Sequence, residues 1–208
     1  MWLQAEGIEV RYLGCTTELH PDLEEAATLI DDTTRAIMLV SPGNPTGVTL
    51  PVEVIADFVE LAARRNIALI LDETYRTFRP TEAPAHDGFD NPAWRTTLIT
   101  LHSFSKDLAI PGYRVGAIVS GADHQREALK ILDCVAIGAP RIGQEAVITG
   151  LRHARGWRRE QAQRIARLQD HFVATMASAP GGFELVTSGA YFGWVRSNDQ
   201  RSTDETVR

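Results

Sequence analysis

The sequence predicts an α/β protein built on a mostly parallel β-sheet, and three observations support this prediction. Short, continuously apolar runs at residues 36–40 and 67–71 are typical of strands that are buried on both faces of a parallel sheet. Residues 51–65, between these runs, carry apolar side chains at helical spacing, so the order is strand, helix, strand. The 208 residues are 44% hydrophobic and 23% charged, which supplies enough apolar surface for one sizeable core.

The first part of the chain supplies most of the predicted sheet. Five segments, each loosely alternating or continuously apolar, predict strands: 8–13, 36–40, 67–71, 98–101 and 115–120. Helices are predicted over residues 21–30, which open with Pro21 and early acidic residues, and over residues 51–65. Asn66 is the expected C-cap of the second helix. These segments alternate as parallel sheets require.

The second part of the chain is predicted to be mainly helical. Three segments have helical patterns: 122–135, 141–151 and 154–177. The run Pro180-Gly-Gly182 ends the last helix, and short strands are expected at 183–186 and 190–195. Residues 197–208 are polar and predicted to be loose. We therefore expect a partial large domain over residues 1–165 and the start of a smaller α+β domain over residues 166–208.

Composition and charge exclude several classes of function. The net charge is −6, which argues against a nucleic-acid partner. A basic run predicts the solvated face of a long helix: Arg152, Arg155, Arg158, Arg159, Arg164 and Arg167. Neither a membrane-spanning run nor a signal peptide is recognisable. Cys15 and Cys134 lie far apart, so we expect no disulfide and no metal site, and we expect a cytoplasmic protein.

Unusual polar side chains follow three of the predicted strands. These residues are Asn44 after the strand at 36–40, Asp72 and Tyr75 after that at 67–71, and Ser103, Lys106 and Arg114 after that at 98–101. Taken singly, each has an ordinary explanation as a turn residue, a helix cap or a solvated cation. Ligands of open α/β sheets, however, bind beyond the carboxyl ends of the strands, so the joint placement predicts one site. An amine, an anion, hydrogen-bond donors and a guanidinium together suit pyridoxal phosphate.

Four motifs carry a resemblance to a known family. They are Ser41-Pro-Gly-Asn-Pro-Thr-Gly47, Asp72-Glu-Thr-Tyr75, Ser103-Phe-Ser-Lys106 and Pro111-Gly-Tyr-Arg-Val-Gly116. In order and spacing they resemble the class I/II aminotransferases, which depend on pyridoxal phosphate and have fold type I. The resemblance extends over roughly the whole chain. It implies a three-layer α/β sandwich with a mostly parallel sheet, and it makes residues 1–165 part of the large cofactor-binding domain.

The resemblance implies a role for each of the six residues. Lys106 would be the catalytic residue, forming the Schiff base and moving a proton between the substrate and the cofactor. Asp72 would pair with the ring nitrogen and keep it protonated. Tyr75 and Asn44 would bind the phenolic oxygen. Ser103 and Arg114 would bind the phosphate.

The resemblance also implies an activity and a partner. The implied function is transfer of an amino group between an amino acid and a 2-oxo acid, in a homodimer. Lyases and synthases of the same fold use the same lysine, aspartate and arginine and remain alternatives. Family members are longer at both ends, where they carry a glycine-rich phosphate turn, a stacking aromatic and an arginine for the substrate carboxylate. A further alternative is therefore a truncated, weakly active or inactive member that binds cofactor or a partner chain. We also expect association of the chain and an exposed apolar face where those longer segments would pack.

Overall fold

The fold alternates strands and helices in its first half and continues into three longer helices and a β-hairpin. The computed structural model of the chain describes residues 2–80, 83–178 and 181–198. The helices are α1 (Trp2–Ala5), α2 (Leu23–Leu29), α3 (Val52–Arg65), α4 (Trp94–Thr97), α5 (Phe104–Asp107), α6 (Ala122–Val135), α7 (Arg141–His153) and α8 (Arg155–Ser178). The strands are β1 (Ala36–Val40), β2 (Ala68–Asp72), β3 (Leu98–Ser103), β4 (Gly116–Val119), β5 (Phe183–Gly189) and β6 (Phe192–Ser197). Short 3-10 turns lie at Arg76–Phe78, Gly88–Asp90 and Pro111–Tyr113.

Within the described residues, β1 to β4 form one sheet in the order β1-β2-β3-β4. β1, β2 and β3 are parallel, and β4 runs antiparallel to β3. Val40 pairs with Asp72, and Asp72 pairs with Leu101. The parallel strands therefore end at the same edge of the sheet. The prediction of an α/β fold with a mostly parallel sheet is confirmed.

The main core lies between α3 and one face of this sheet, which we call the back face. Leu39, Leu69, Leu71 and Leu98 point to it and are all less than a tenth exposed. Phe58 of α3 is 0% exposed and packs in the same cluster. The helix ends as predicted, because Asn66 adopts the left-handed conformation and its N–H bonds back to the last turn.

The opposite face of the sheet, the front face, carries a different set of side chains. Successive residues of a strand point to opposite faces, so Asp72 and Ser103 lie on the front face while Glu73 and His102 lie on the back. Met38 and Ile118 of the front face are 55% and 47% exposed. The front face is therefore only partly covered by the described residues.

The C-terminal elements pack on the segment that follows β2. β5 and β6 form an antiparallel hairpin, which packs on α8. Ala190 and Phe192 of the hairpin join Tyr75 and Phe78 in a second apolar cluster, to which α8 contributes Ile165. The division into residues 1–165 and 166–208 remains a prediction, and its boundary falls within the continuous helix α8.

One predicted strand was wrong. Residues 8–13 are not part of any sheet, and Ile8 and Tyr12 are 50% and 81% exposed. Instead, Arg11 forms ion pairs with Glu9 and Asp31. Apolar alternation makes a strand only where a neighbouring strand offers backbone partners, and the described residues offer none to this segment. Pro180 and residues 199–208, about which turn and loop predictions were made, lie outside the described residues.

Candidate active site

The backbone brings the strand ends of β1, β2 and β3 together. The N–H of Ser41 donates to the carbonyl of Asp72 at 2.9 Å, and the N–H of Glu73 donates to the carbonyl of Leu101 at 2.9 Å. Ser103 pairs with Gly116 at the start of β4, so the turn that carries Arg114 lies at the same edge. All six predicted site residues are thus placed on segments that meet at this edge of the sheet.

Asp72 is the last residue of β2, and its carboxylate is oriented by its neighbour. Oδ1 accepts hydrogen bonds from the backbone N–H of Thr74 at 2.9 Å and from the Thr74 hydroxyl at 2.7 Å. The side chain is half-buried and lies on the front face. Two donors on one oxygen fix the plane of the carboxylate, which presents a negative charge at the strand end.

Tyr75 is buried beside this carboxylate. Its ring makes edge-to-face contacts with Phe192, with centroids 5.0 Å apart, and with Tyr191, 6.0 Å apart. Burial and the negative charge of Asp72 raise the pKa of the Tyr75 phenol. The phenol is therefore held protonated and can donate a hydrogen bond to an anionic oxygen.

Lys106 lies on the short helix α5, which follows β3 directly. Ser103 caps this helix, since its hydroxyl accepts from the backbone N–H of Ser105 at 3.3 Å. Lys106 is exposed, whereas the next residue, Asp107, is buried. The amine is therefore accessible to a ligand at the sheet edge.

Arg114 and Asn44 are both exposed and lie on loops. Arg114 adopts the left-handed conformation with φ 54°, and its guanidinium donates to the carbonyl of Pro111 at 3.0 Å. Asn44 lies in a loop whose base is closed by a hydrogen bond from the N–H of Gly43 to the carbonyl of Val48 at 2.8 Å. Gly47 of this loop packs directly on the backbone of Gly189, so the hairpin closes one side of the site.

The donor set fits pyridoxal phosphate. The accessible amine of Lys106 suits an aldehyde, and the oriented carboxylate of Asp72 suits a protonated ring nitrogen. The protonated phenol of Tyr75 suits a phenolate oxygen, and the exposed guanidinium of Arg114 suits a phosphate. No described contact engages the Lys106 amine elsewhere.

A buried charge cluster on the back face was missed from the sequence. Glu73 Oε2 lies 3.5 Å from His86 Nε2, 3.7 Å from His102 Nε2 and 3.9 Å from a guanidinium nitrogen of Arg76. Burial acts to raise the pKa of Glu73, but the hydrogen-bonding and charge effects of His86, Arg76 and His102 outweigh it and lower that pKa. Burial lowers the pKa of His102, while Glu73 opposes this shift. The Thr100 hydroxyl oxygen forms a hydrogen bond of 2.8 Å with His102 Nε2.

An ion pair next to Lys106 was also missed. Asp107 binds Arg158, although the basic run predicts that Arg158 lies on a solvated helix face. The other five arginines of that basic run are exposed as predicted. No local signal distinguishes Arg158, because its partner is 51 residues away in sequence.

Metal-binding clusters, membrane-spanning helices and reactive cysteines bear on other kinds of site. Among the described residues, no group of three or more His, Cys, Asp or Glu side chains is arranged to hold a metal ion. None of the described helices combines the length and the apolar character that a bilayer crossing needs. Cys15 and Cys134 are both free and exposed.

Solved structures share this fold. An aspartate aminotransferase from Thermotoga maritima superimposes with a TM-score of 0.80 at 24% sequence identity, covering 89% of this chain and 49% of that chain. This likeness shows that the sheet, helices and hairpin are arranged as in part of an aminotransferase.

The sequence identifies the family. A family model described as aminotransferase class I and II matches residues 1–207, and the chain belongs to this family. An aromatic amino acid aminotransferase from Cutibacterium acnes is 27% identical over 192 residues, which are 92% of this chain and 53% of that protein. An arginine–pyruvate transaminase from Pseudomonas aeruginosa is 31% identical over 170 residues, which are 81% and 43% of the respective lengths. The chain spans about half the length of the curated relatives it matches, and the predicted resemblance is confirmed.

Proposed function

We propose that this chain provides the cofactor-anchoring part of a pyridoxal-phosphate-dependent aminotransferase that acts on an amino acid and a 2-oxo acid. The observation that carries the proposal is the meeting of the Lys106, Asp72 and Arg114 segments at one edge of the sheet. Family membership supports it, and the relatives from Cutibacterium acnes and Pseudomonas aeruginosa are both named for amino-group transfer.

Each residue would contribute through its own chemistry. Asp72 would bind the ring nitrogen with a charge-assisted hydrogen bond. Tyr75, together with Asn44, would donate to the phenolic oxygen. Ser103 and Arg114 would hold the phosphate and so fix the ring in front of Lys106.

Lys106 would perform the proton transfer. When bound, pyridoxal phosphate supplies an aldehyde that links to amines and a ring that accepts electrons from the α-carbon. The Lys106 amine would hold the cofactor between turnovers and, once displaced by a substrate amine, would take the α-proton as a general base. Tyr75, held protonated, would keep its hydrogen bond throughout.

The chain offers a direct test, because Lys106 and Lys130 are the only lysines in its sequence. Borohydride makes the link between the cofactor aldehyde and a lysine amine permanent, and peptide mass analysis locates it. We expect labelling at Lys106 in the wild-type chain and loss of this labelling in Lys106→Ala. The control is Lys130→Gln, which should be labelled like wild type, because the Lys130 amine lies on the surface of α6 beside Glu127. Labelling of both lysines to the same extent would contradict a specific site.

A second measurement separates the activity from cofactor binding. Amino acid and 2-oxo acid are added in turn to the loaded protein, and the amino product is quantified. Formation of product supports transamination by this chain. Labelling at Lys106 without product supports the alternative of a cofactor-binding member that needs a partner chain. Formation of α-keto or cyclised products from the amino acid when no 2-oxo acid has been added supports the lyase or synthase alternative.

We also propose that the chain associates with a second copy. The surface formed by the end of α6, the following loop and α7 is strongly apolar, since Val135, Ile137 and Ile142 are 78%, 84% and 71% exposed. Beside it lie adjoining apolar grooves of about 450 and 570 Å³ that share Ile110 and Ile142. A soluble monomer rarely exposes so much contiguous apolar surface.

The association test is sedimentation of the wild-type chain and of an Ile137→Lys variant. We expect a dimer whose dissociation constant rises in the variant, because a charge in an apolar interface is desolvated without a partner. A Leu3→Lys substitution, at a site that is 45% exposed on α1, serves as the control. A wild-type chain that remains monomeric without aggregating would contradict the proposal.

The two free and exposed thiols favour a reducing location, and we propose the cytoplasm.

A further inference from the structure

Asp107, the residue after Lys106, is a buried carboxylate with three hydrogen-bond donors. Its side chain is 10% exposed. Oδ1 accepts from the hydroxyl of Thr77 at 2.8 Å and from Nε of Arg158 at 2.8 Å, while Oδ2 accepts from a terminal nitrogen of Arg158 at 2.6 Å. The guanidinium therefore binds both carboxylate oxygens, which is the most directional form of this interaction.

The three residues come from three different elements. Asp107 ends α5, Thr77 lies in the 3-10 turn that follows Tyr75, and Arg158 lies in the first turn of α8. A single carboxylate thus connects the lysine helix, the tyrosine turn and the long helix that packs on the β5–β6 hairpin.

The helix α5 needs such a connection to have a fixed orientation. It consists of four residues, and a helix of one turn is not stable without tertiary contacts. Consecutive side chains diverge by roughly 100° around a helix, so Asp107 can point into the protein while Lys106 points out. Rotation of this turn about its axis would move the Lys106 amine, and the Asp107–Arg158 pair opposes that rotation. The cluster of Leu108, Val115 and Val147 anchors the next residue but has no directional bonds.

We propose that Asp107, held by Arg158, is a positioning residue that sets the direction of the Lys106 amine toward the cofactor. The inference rests on the proposed function, which assigns the cofactor link to Lys106. Asp107 acts through Lys106 and does not itself touch the cofactor.

The test compares two cofactor forms that differ in their need for the lysine. Pyridoxal phosphate has an aldehyde that condenses with the Lys106 amine, forming a C=N bond and releasing one water. Pyridoxamine phosphate binds through the same ring and phosphate but has no aldehyde, so it does not link to lysine. A positioning role affects the first ligand and spares the second, whereas general loss of structure weakens both.

The variants are Arg158→Gln, Arg158→Lys, Asp107→Asn and the control Arg159→Gln, at the exposed neighbour on α8. We expect Arg158→Gln and Asp107→Asn to slow borohydride-trapped labelling of Lys106 by about tenfold, as follows from a small misplacement of a reacting group. The dissociation constant of pyridoxamine phosphate should stay within about twofold of wild type, a difference of less than ~0.5 kcal/mol. Arg158→Lys should recover part of the rate, and Arg159→Gln should match wild type.

Other outcomes overturn the inference. Unchanged labelling in folded Asp107→Asn, or equal weakening of both cofactor forms, shows that the pair does not direct Lys106. Should Arg158→Gln fail to fold, Arg158→Lys and Asp107→Asn provide the same comparison. Wild-type rates of Lys106 labelling in both of these variants would then refute the positioning role of Asp107. Absence of Lys106 labelling in the wild-type chain would instead be a failure of the proposed function.

Discussion

The β5–β6 hairpin packs on the loop that carries Asn44 through a backbone contact between Gly47 and Gly189. Replacing either glycine tests how much this contact contributes to stability. A Cβ on Gly47 would lie 2.8 Å from the Cα of Gly189, closer than real Cβ contacts. Gly47 also has a φ of 76°, which side chains disfavour. Gly47→Ala therefore adds two costs, one from backbone conformation and one from overlap.

The chain offers a matched control for each cost. Gly7 has the same φ of 76° but nothing within 4 Å of its Cβ position, so Gly7→Ala measures conformation alone, at about 1 kcal/mol. Gly189 has no positive φ, so Gly189→Ala measures overlap alone, at about 1–3 kcal/mol. The sum predicts that Gly47→Ala lowers the free energy of unfolding by about 2–4 kcal/mol.

The assay is urea unfolding followed by far-ultraviolet circular dichroism, with the fluorescence of the four tryptophans, among them Trp194 of the hairpin, as a second probe. Because both methyl groups would occupy the same gap, the double variant Gly47→Ala/Gly189→Ala should be non-additive. A Gly47→Ala variant that is no less stable than Gly7→Ala, with unchanged fluorescence, would refute the close packing of loop and hairpin.

Two further predictions concern stability. The pKa values of His102 and Glu73 are lower in the folded state, so the unfolded state binds more protons as the pH falls. The contribution of each group to the free energy of unfolding is therefore fully present at neutral pH. It should decline as the pH falls below 6.5 for His102 and below 4.5 for Glu73, toward the lower folded-state pKa values. Unfolding should show a shallower acid dependence below pH 6.5 in His102→Gln and below pH 4.5 in Glu73→Gln, and an unchanged dependence in both variants would contradict the cluster. Phe58→Ala should lower the free energy of unfolding by about 3–5 kcal/mol, because the ring is 0% exposed in the core. Phe183→Ala, at a ring that is 52% exposed, should change it by about 0.5 kcal/mol or less, and equal effects at the two sites would contradict the assigned core.

The sequence predicted those features that local patterns determine. Helix α6 begins and ends where its periodicity predicts, and β1 matches its apolar run. The meeting of the site segments at one edge followed from parallel topology, because parallel strands end on the same side. The strand predicted at residues 8–13 was wrong because alternation does not specify a partner strand. Arg158 was assigned to solvent because an ion pair across 51 residues leaves no local pattern.

The adjacent carboxylates Asp72 and Glu73 show what the fold adds to these patterns. In sequence they are two like charges side by side, and the strand directs them to opposite faces of the sheet. On the back face, Arg76, His86 and His102 surround Glu73 and favour its charged form. Because those cationic and polar groups lie beside Glu73 on the back face, the charge of Asp72 remains available on the front face. A protonated ring nitrogen placed at the end of β2 would meet that charge directly. Under the proposed function, the position after the apolar run, and not acidity alone, would therefore make Asp72 the anchoring residue.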